Sequence, residues 1–229
     1  MEEMITNSQG DILDYTFHDP GNPSRDILII GHGVTGNKDR PLVVTLAEAV
    51  SNEGMAVLRF SFSGNGSSGG DFRDCTISKE VGDLKAVVTA AVKKGYRVTY
   101  AGHSMGGAVG VLAAFSDDRI KHLISLAGMV HTMDFYDREF GEEKPDEGCM
   151  WEEPSYPLSS TYRNDMYEIA SVASKASEIK IPWLLIHGDA DDVIPIEDSR
   201  QIFALANEPK KSLKFPGLTM FSGKPDLNL

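Results

Sequence analysis

The chain has 229 residues, of which 41% are hydrophobic and 24% charged, and its formal net charge is −12. This length fits one domain, with or without an insertion, and the ordinary composition argues against disorder. The acidic excess argues against a nucleic-acid partner, and no apolar run approaches the ~20 residues that span a bilayer. The two cysteines give neither a disulfide framework nor a zinc spacing, and the N-terminus lacks a signal-peptide pattern. We therefore expect a cytoplasmic protein without a metal.

Strand and helix patterns alternate along most of the chain. Short apolar, β-branched runs typical of buried parallel strands lie at 26–30, 56–60, 98–101, 122–126, 183–187 and 213–215. Helical patterns lie between them at 42–52, 81–92 and 105–115, the second with Thr76 or Ser78 as N-cap and Gly95 as its stop. Residues 4–18 are predicted to form a leading antiparallel hairpin. The alternation predicts an α/β fold with a mostly parallel, doubly wound sheet.

Residues 129–178 differ in composition from the rest of the chain. They hold 12 acidic and 4 basic side chains, a net charge of −8, so the other 179 residues carry only −4. They also hold seven of the 19 aromatic residues. We expect an insertion here between two parts of one core, residues 1–128 and 179–229. Two interpretations stay open: a solvated excursion, or a lid whose aromatic side chains face a pocket.

A candidate nucleophile stands between a predicted strand and a predicted helix. The motif Gly102-His103-Ser104-Met105-Gly106 is G-x-S-x-G, and its strand–turn–helix setting is the one in which such a serine acts as a nucleophile. The sharp turn strains the serine backbone and requires small neighbours, and it projects the hydroxyl at the positive end of the helix. The alternative is a serine that only caps the helix. We expect His103 to lie buried below this turn.

The glycine-rich loop after the strand 26–30 is the candidate oxyanion hole. Its sequence is Gly31-His32-Gly33-Val34, and a loop of this kind aims backbone N–H groups at a developing oxyanion. We assign the amides of Val34 and Met105 to this role. His32 is a candidate base, but a structural hydrogen-bonding role suits its place in the loop better.

The candidate acid follows the strand 183–187. A carboxylate at the C-terminal edge of a late strand is where the orienting acid of a Ser–Asp–His triad belongs. Three aspartates compete in the run Gly188-Asp189-Ala190-Asp191-Asp192. Asp189 is expected to bond turn backbone and Asp192 to face solvent, so we choose Asp191.

Four segments together resemble the α/β-hydrolase fold. They are 32–38 (HGVTGNK), 59–68 (RFSFSGNGSS), 102–107 (GHSMGG) and 187–195 (HGDADDVIP), and they stand in the order of that fold over roughly residues 5–223. Within it the chain is similar to acylglycerol lipases, serine aminopeptidase-like hydrolases and, most of all, small bacterial cinnamoyl/feruloyl esterases. The resemblance implies an inserted lid that contributes to an aromatic acyl pocket, and its H-G-x-x-D-x-x-(V/I)-P pattern places the acid on Asp191.

The resemblance breaks where the late catalytic histidine should stand. The expected G-x-x-H-x-F-S-G stretch is Gly217-Leu218-Thr219-Met220-Phe221-Ser222-Gly223 here, one residue short and without histidine. The last helix of the fold is also expected to be missing, which would uncover apolar sheet and lower stability or recruit a partner, such as a second copy in a homodimer. Three explanations stay open: truncation or a frame shift after Phe215, a substitute base, for which His131 is the best candidate, or a non-catalytic ligand-binding relative.

The resulting expectation is a serine carboxylic ester hydrolase. It would act through an acyl-enzyme on small or aromatic acyl esters, with a small-molecule substrate and no cofactor. The alternatives are a non-catalytic binding member of the same fold and a thioesterase or aminopeptidase-like hydrolase, because all of these share the fold and the serine turn. The acidic lid would disfavour anionic substrates, which tilts the expectation toward neutral esters.

Overall fold

The computed structural model describes residues 3–21 and 24–219. The strands in these ranges are β1 (Ile5–Thr6), β2 (Ile12–Leu13), β3 (Tyr15–His18), β4 (Asp26–Gly31), β5 (Ala56–Phe60), β6 (Arg97–His103), β7 (Ile120–Leu126), β8 (Trp183–Gly188) and β9 (Lys210–Phe215). The α-helices are α1 (Pro41–Asn52), α2 (Ile77–Lys93), α3 (Met105–Ser116), α4 (Thr132–Phe140), α5 (Ser160–Ile169) and α6 (Ile196–Leu205).

Seven strands form the central sheet in the order β3-β5-β4-β6-β7-β8-β9. Strands β4 to β9 run parallel to their neighbours, and only β3 is antiparallel, pairing Tyr15 with Phe60. The predicted mostly parallel sheet is confirmed. The predicted hairpin over residues 4–18 is correct only in its first part. β1 and β2 pair with each other in a separate two-stranded sheet, whereas β3 joins the central sheet through β5.

The two faces of the sheet are buried by different helices. Alternate residues of β4 enter two separate apolar clusters, with Ile27 and Ile29 in one and Leu28 and Ile30 in the other. The second cluster includes Val43 and Ala47 of α1, whereas the first includes the apolar faces of α2 and α3. Because helices cover both faces of the sheet, β4 is apolar on both sides, and its sequence is a continuous apolar run after Asp26.

Helix α2 begins and ends near the expected signals. Thr76 is its N-cap, and its hydroxyl accepts the Lys79 N–H at 3.0 Å. Such a cap satisfies a backbone donor that has no partner inside the helix. Gly95 follows the end of the helix with a φ of +85°, a conformation that glycine adopts without strain.

The segment between β7 and β8 folds into short helices rather than strands. It contains α4, α5 and two 3-10 helices, Met150–Glu152 and Ala173–Glu178. Aromatic side chains pack against one another inside it, with Tyr136, Phe140 and Tyr162 in mutual contact at ring-centroid distances of 6.0–6.4 Å. Within the ranges given above, no helix is both long and apolar enough to cross a membrane.

Ala170 holds a strained turn at the end of α5. Its φ is +53° and its ψ is −50°, and the Ser171 N–H donates to the Ile169 carbonyl across it, which makes a γ-turn of positive φ. A non-glycine residue in such a region costs on the order of 1–3 kcal/mol. We expect Ala170→Gly to raise the free energy of unfolding by about 1 kcal/mol, after the greater entropy of glycine in the unfolded chain is subtracted.

Urea denaturation of the Ala170→Gly variant measures this change. Ala86→Gly, inside the regular helix α2, is the matched control and should lower stability by about 1 kcal/mol. Equal losses in the two variants would show that the turn at Ala170 stores no strain.

Candidate active site

Ser104 lies at a sharp turn between β6 and α3. Its φ is +51° and its ψ is −118°, a strained conformation for a serine. Its backbone is fixed on two sides, because its N–H donates to the Leu126 carbonyl and its own carbonyl accepts the Met129 N–H at 2.9 Å. The flanking glycines are required by contact: a Cβ at Gly102 would lie 2.0 Å from the Gly106 carbonyl oxygen, and one at Gly106 would lie 2.5 Å from that of His32.

The Ser104 side chain is enclosed. The residue is 1% exposed, and its Oγ has no hydrogen-bond partner among the described residues. A buried hydroxyl without a partner is costly and calls for an explanation. Here it sits at the N-terminus of α3, where the helix dipole favours negative charge.

The glycine-rich loop after β4 packs directly against Ser104. A Cβ at Gly33 would lie 3.0 Å from the Ser104 Cβ and 3.4 Å from its Oγ. The amides of Val34 and Met105 donate no hydrogen bond to any of the described residues. Two unengaged amides beside a nucleophile are what an oxyanion hole requires.

His32 supports this loop and is neutral. Its Nε2 accepts the Phe62 N–H at 3.0 Å, so the proton is on Nδ1, which donates to the Gly33 carbonyl at 2.8 Å. Burial lowers the pKa of His32 to about 4, and the positive charge of Arg40 contributes further in the same direction. Both ring nitrogens are occupied, which fits the structural role expected for this residue rather than that of a base.

His103 does not lie where it was expected. The prediction placed it buried below the turn, but it is half-buried, and a Cβ at Gly33 would lie 3.5 Å from its Nδ1. The side chain therefore lies on the side of the glycine-rich loop. The reason is the alternation of side chains along β6, which places His103 on the same face as Ala101, the face that α1 covers.

Asp191 lies in the loop that follows β8. Its Oδ1 accepts the N–H groups of Val193 at 3.1 Å and Ile194 at 2.9 Å, which fix the orientation of the carboxylate. Behind it, His187 is buried with Nδ1 on the Ser199 hydroxyl and Nε2 on the Ile194 carbonyl. The loop is therefore anchored on both sides of Asp191.

The other two aspartates of the loop take different positions. Asp192 is exposed, as predicted. Asp189 accepts the backbone N–H of Gly217, after β9, at 2.6 Å, and its own backbone N–H within the turn also contributes a hydrogen bond. A hydrogen bond and ion pair with Lys214 lower the pKa of Asp189. The Ala190 N–H also donates to the Leu218 carbonyl at 3.0 Å, so the chain after β9 runs beside the acid loop.

The expected histidine position is at the boundary of the described residues. Thr219 is the last described residue. The prediction that no final helix follows concerns Met220 onward and therefore lies outside the described residues. The sequence has no histidine after His187.

His131 does not reach Ser104 in this structure. It stands at the N-terminus of α4, and its Nε2 is 2.7 Å from Oε1 of Gln201 on α6. The preceding residue explains this direction, because the Val130 N–H donates to Asp198 Oδ2 at 3.0 Å and holds the chain against α6.

Two buried tyrosines near the serine turn were missed by the sequence analysis. Tyr100 is fully buried, and its hydroxyl donates to the Gly106 carbonyl at 3.0 Å. Tyr162, on α5, donates to Met105 Sδ at 3.8 Å. The signal for Tyr100 was present as a large side chain two residues before Gly102, but Tyr162 is far away in sequence. Among the described residues no group of three His, Cys, Asp or Glu side chains could hold a metal ion.

The sheet order, the strained serine turn and the glycine-rich loop define an α/β-hydrolase fold. The chain matches the family described as the prolyl oligopeptidase family over residues 43–220, and it belongs to that family. It is 30% identical to an uncharacterized protein, YfhR, of Salmonella typhi, over 96% of this chain and 73% of that protein.

One further relative is an enzyme by name, and one similar solved structure holds a bound acid. The mitochondrial palmitoyl-protein thioesterase ABHD10 of Bos taurus is 26% identical over 74% of this chain and 58% of that protein. The structure of Est1E from Butyrivibrio proteoclasticus with bound ferulic acid is 29% identical, covers 94% of this chain and 89% of that one, and superposes with a TM-score of 0.82. The chain is accordingly an esterase- or thioesterase-like hydrolase.

Proposed function

We propose that the chain hydrolyses carboxylic esters through an acyl-enzyme formed on Ser104. The serine oxygen attacks the ester carbonyl, and the amides of Val34 and Met105 bind the resulting oxyanion. The tetrahedral intermediate then expels the alcohol, and water releases the acid from the acyl-enzyme. In this proposal Asp191 is the carboxylate that would orient a histidine base, a residue that the chain does not supply at the expected position after β9.

One observation carries this proposal. Ser104 is held in a strained conformation at the N-terminus of α3, with Gly33 packed against it. A serine that only capped the helix would accept a backbone N–H with its side chain, and Ser104 makes no such bond. The strain and the unengaged hydroxyl are accounted for by a nucleophile.

We further propose that residues 129–178 form a lid and that the acyl group is small or aromatic. Tyr162 of this segment contacts Met105, the residue after the nucleophile. Aromatic side chains such as Tyr136 and Phe140 pack around Tyr162, so the part of the insertion beside Met105 is built of planar apolar groups. The ferulic acid in the Est1E structure is an aromatic acid of this kind. The predicted cytoplasmic setting is retained in the proposal, because Cys75 and Cys149 are both free thiols.

A second candidate is a non-catalytic ligand-binding protein of the same fold. All six histidines of the sequence are among the described residues, and none of them hydrogen-bonds Ser104 Oγ. A serine without a base is a poor nucleophile. Loss of the base costs on the order of 10⁶ in kcat in the reference protease, where the oxyanion hole and binding retain about 10³–10⁴ over water.

A fluorophosphonate probe and p-nitrophenyl butyrate separate the two candidates. We expect covalent labelling of close to one site per chain and measurable hydrolysis, and Ser104→Ala should abolish both because the attacking oxygen is removed. Ser155→Ala, at an exposed serine of the insertion, is the matched control and should label normally.

Absence of labelling and of hydrolysis in a folded sample would favour the second candidate. His131→Ala in the same assay tests the substitute base. Turnover equal to that of the unmodified chain would exclude His131 from the reaction.

A further inference from the structure

Glu80, in the first turns of α2, is a buried acid without a partner. It is 1% exposed, and neither carboxyl oxygen has a hydrogen-bond partner among the described residues. Asp83, one turn later, is buried but fully engaged: Oδ1 accepts from Asn7 at 2.7 Å, and Oδ2 accepts the N–H and the hydroxyl of Ser63. The mechanism proposed above uses neither group, so the unengaged carboxyl of Glu80 needs its own explanation.

Glu80 lies where the insertion meets the core. Helix α5 packs on the start of α2, and the Ser78 N–H donates to Asp165 Oδ2 at 3.2 Å across this contact. Tyr162 and Asp165 of α5 both interact electrostatically with Glu80. Tyr162 also contacts Met105, so the helix that packs on the start of α2 also contacts the residue after the nucleophile.

The surroundings of Glu80 favour its protonated form. The titratable and charged groups that face it come from the loop before α2, from α2, from β6 and from α5: Cys75, Lys79, Asp83, Tyr100, Tyr162 and Asp165. The one cation of this set, Lys79, is committed to Asp11 at 2.9 Å and to the Ser63 hydroxyl. Burial, followed by the charges of Asp83 and Asp165, raises the pKa of Glu80 well above its ordinary value.

We propose that Glu80 is a proton-controlled contact between the insertion and the core: α5 stays docked on α2 while Glu80 is protonated and separates from it when Glu80 ionises. On ionisation the proton passes to solvent, and the carboxylate becomes hydrated once α5 has moved. The consequence for the reaction rests on the function proposed above, because displacement of α5 would withdraw Tyr162 from Met105, the residue after Ser104.

The proposal has a quantitative signature. The docked form holds one proton that the separated form, with a hydrated carboxyl, releases. Between the ordinary and the raised pKa of Glu80, each unit of pH should therefore increase the ratio of separated to docked molecules tenfold.

Hydrogen exchange of the α5 backbone, followed by mass spectrometry on the full chain, tests this signature. Peptides covering Ser160–Ile169 are followed from pH 6 to 8.5, and the rates are divided by the intrinsic exchange rates at each pH. We expect protection to fall with rising pH in the unmodified chain, by up to tenfold per pH unit below the raised pKa of Glu80, and to stay constant in Glu80→Gln. Glu168→Gln removes an exposed charge from α5 itself and should keep the full pH dependence.

Equal pH dependence in the unmodified chain and in Glu80→Gln would overturn the proposal, as would constant protection in both. Glu80→Met, which removes the polar group altogether, repeats the test if the amide variant does not fold. The readout does not depend on catalysis. The two proposals can fail separately. If the chain does not react with the fluorophosphonate but the pH dependence of exchange disappears in Glu80→Gln, the proposed function is wrong and the proposed role of Glu80 stands.

Discussion

A histidine inserted between Thr219 and Met220 is expected to raise kcat/KM for p-nitrophenyl butyrate by on the order of 10³-fold. The reason is chemical: the insertion supplies an imidazole base, whereas no described histidine hydrogen-bonds Ser104 Oγ in this structure, and the base of such a triad contributes on the order of 10⁶ in the reference protease. We expect a part of that factor, because the inserted side chain has no packing selected to hold it.

The structure supports this choice of position. The chain after β9 is held against the acid loop by hydrogen bonds from Gly217 N–H to Asp189 and from Ala190 N–H to the Leu218 carbonyl. A histidine directly after Thr219 would therefore start close to the loop that carries Asp191. In a Ser–Asp–His arrangement the aspartate accepts the Nδ1–H and leaves Nε2 free to take the serine proton.

Three further variants distinguish a histidine that activates Ser104 from one that acts on the ester directly. A glutamine inserted at the same position should give no gain. In the histidine variant, Ser104→Ala should remove the gain completely, and Asp191→Asn should remove most of it, because the imidazole then loses its orientation. A gain that survives Ser104→Ala would show that the inserted histidine acts on the ester directly.

The core of the fold could be predicted because its signals are local. Runs such as those of β4 and β8 are apolar on both faces, and a strand between two helical layers must be so. The serine turn was predictable from its local motif: Gly102 is required by contact with Gly106, within the turn itself, although Gly106 is required by the carbonyl of His32, far away in sequence.

Long-range contacts could not be predicted in the same way. β3 has no feature that assigns it to the central sheet, since its partner β5 lies some forty residues later. The aromatic residues of the insertion indicated burial, but not that Tyr162 would reach Met105. Glu80 has the sequence pattern of an ordinary polar residue of a helix, and its burial without a partner follows from elements far away in sequence that pack around α2.

The second large effect expected is loss of stability in acid through His32. The folded chain holds this imidazole neutral with a pKa of about 4, whereas the unfolded chain has the ordinary value of 6.5. Above pH 6.5 neither state binds the proton, and the stabilisation is complete. As the pH falls from 6.5 to about 4 only the unfolded state is protonated, so the free energy of unfolding should drop by about 3 kcal/mol.

Urea denaturation between pH 7.5 and 4.5 measures this drop, and His32→Gln isolates it from the other titrating groups. The variant should be less stable at neutral pH, because the Phe62 N–H and the Gly33 carbonyl lose their partner. The stability difference between the two chains should shrink as the pH falls. Only the unmodified chain contains an imidazole that stays neutral in the folded state and becomes protonated in the unfolded state. A constant difference across this range would mean that His32 is protonated in the folded state, and the neutral tautomer that supports the Gly33 loop would then be wrong.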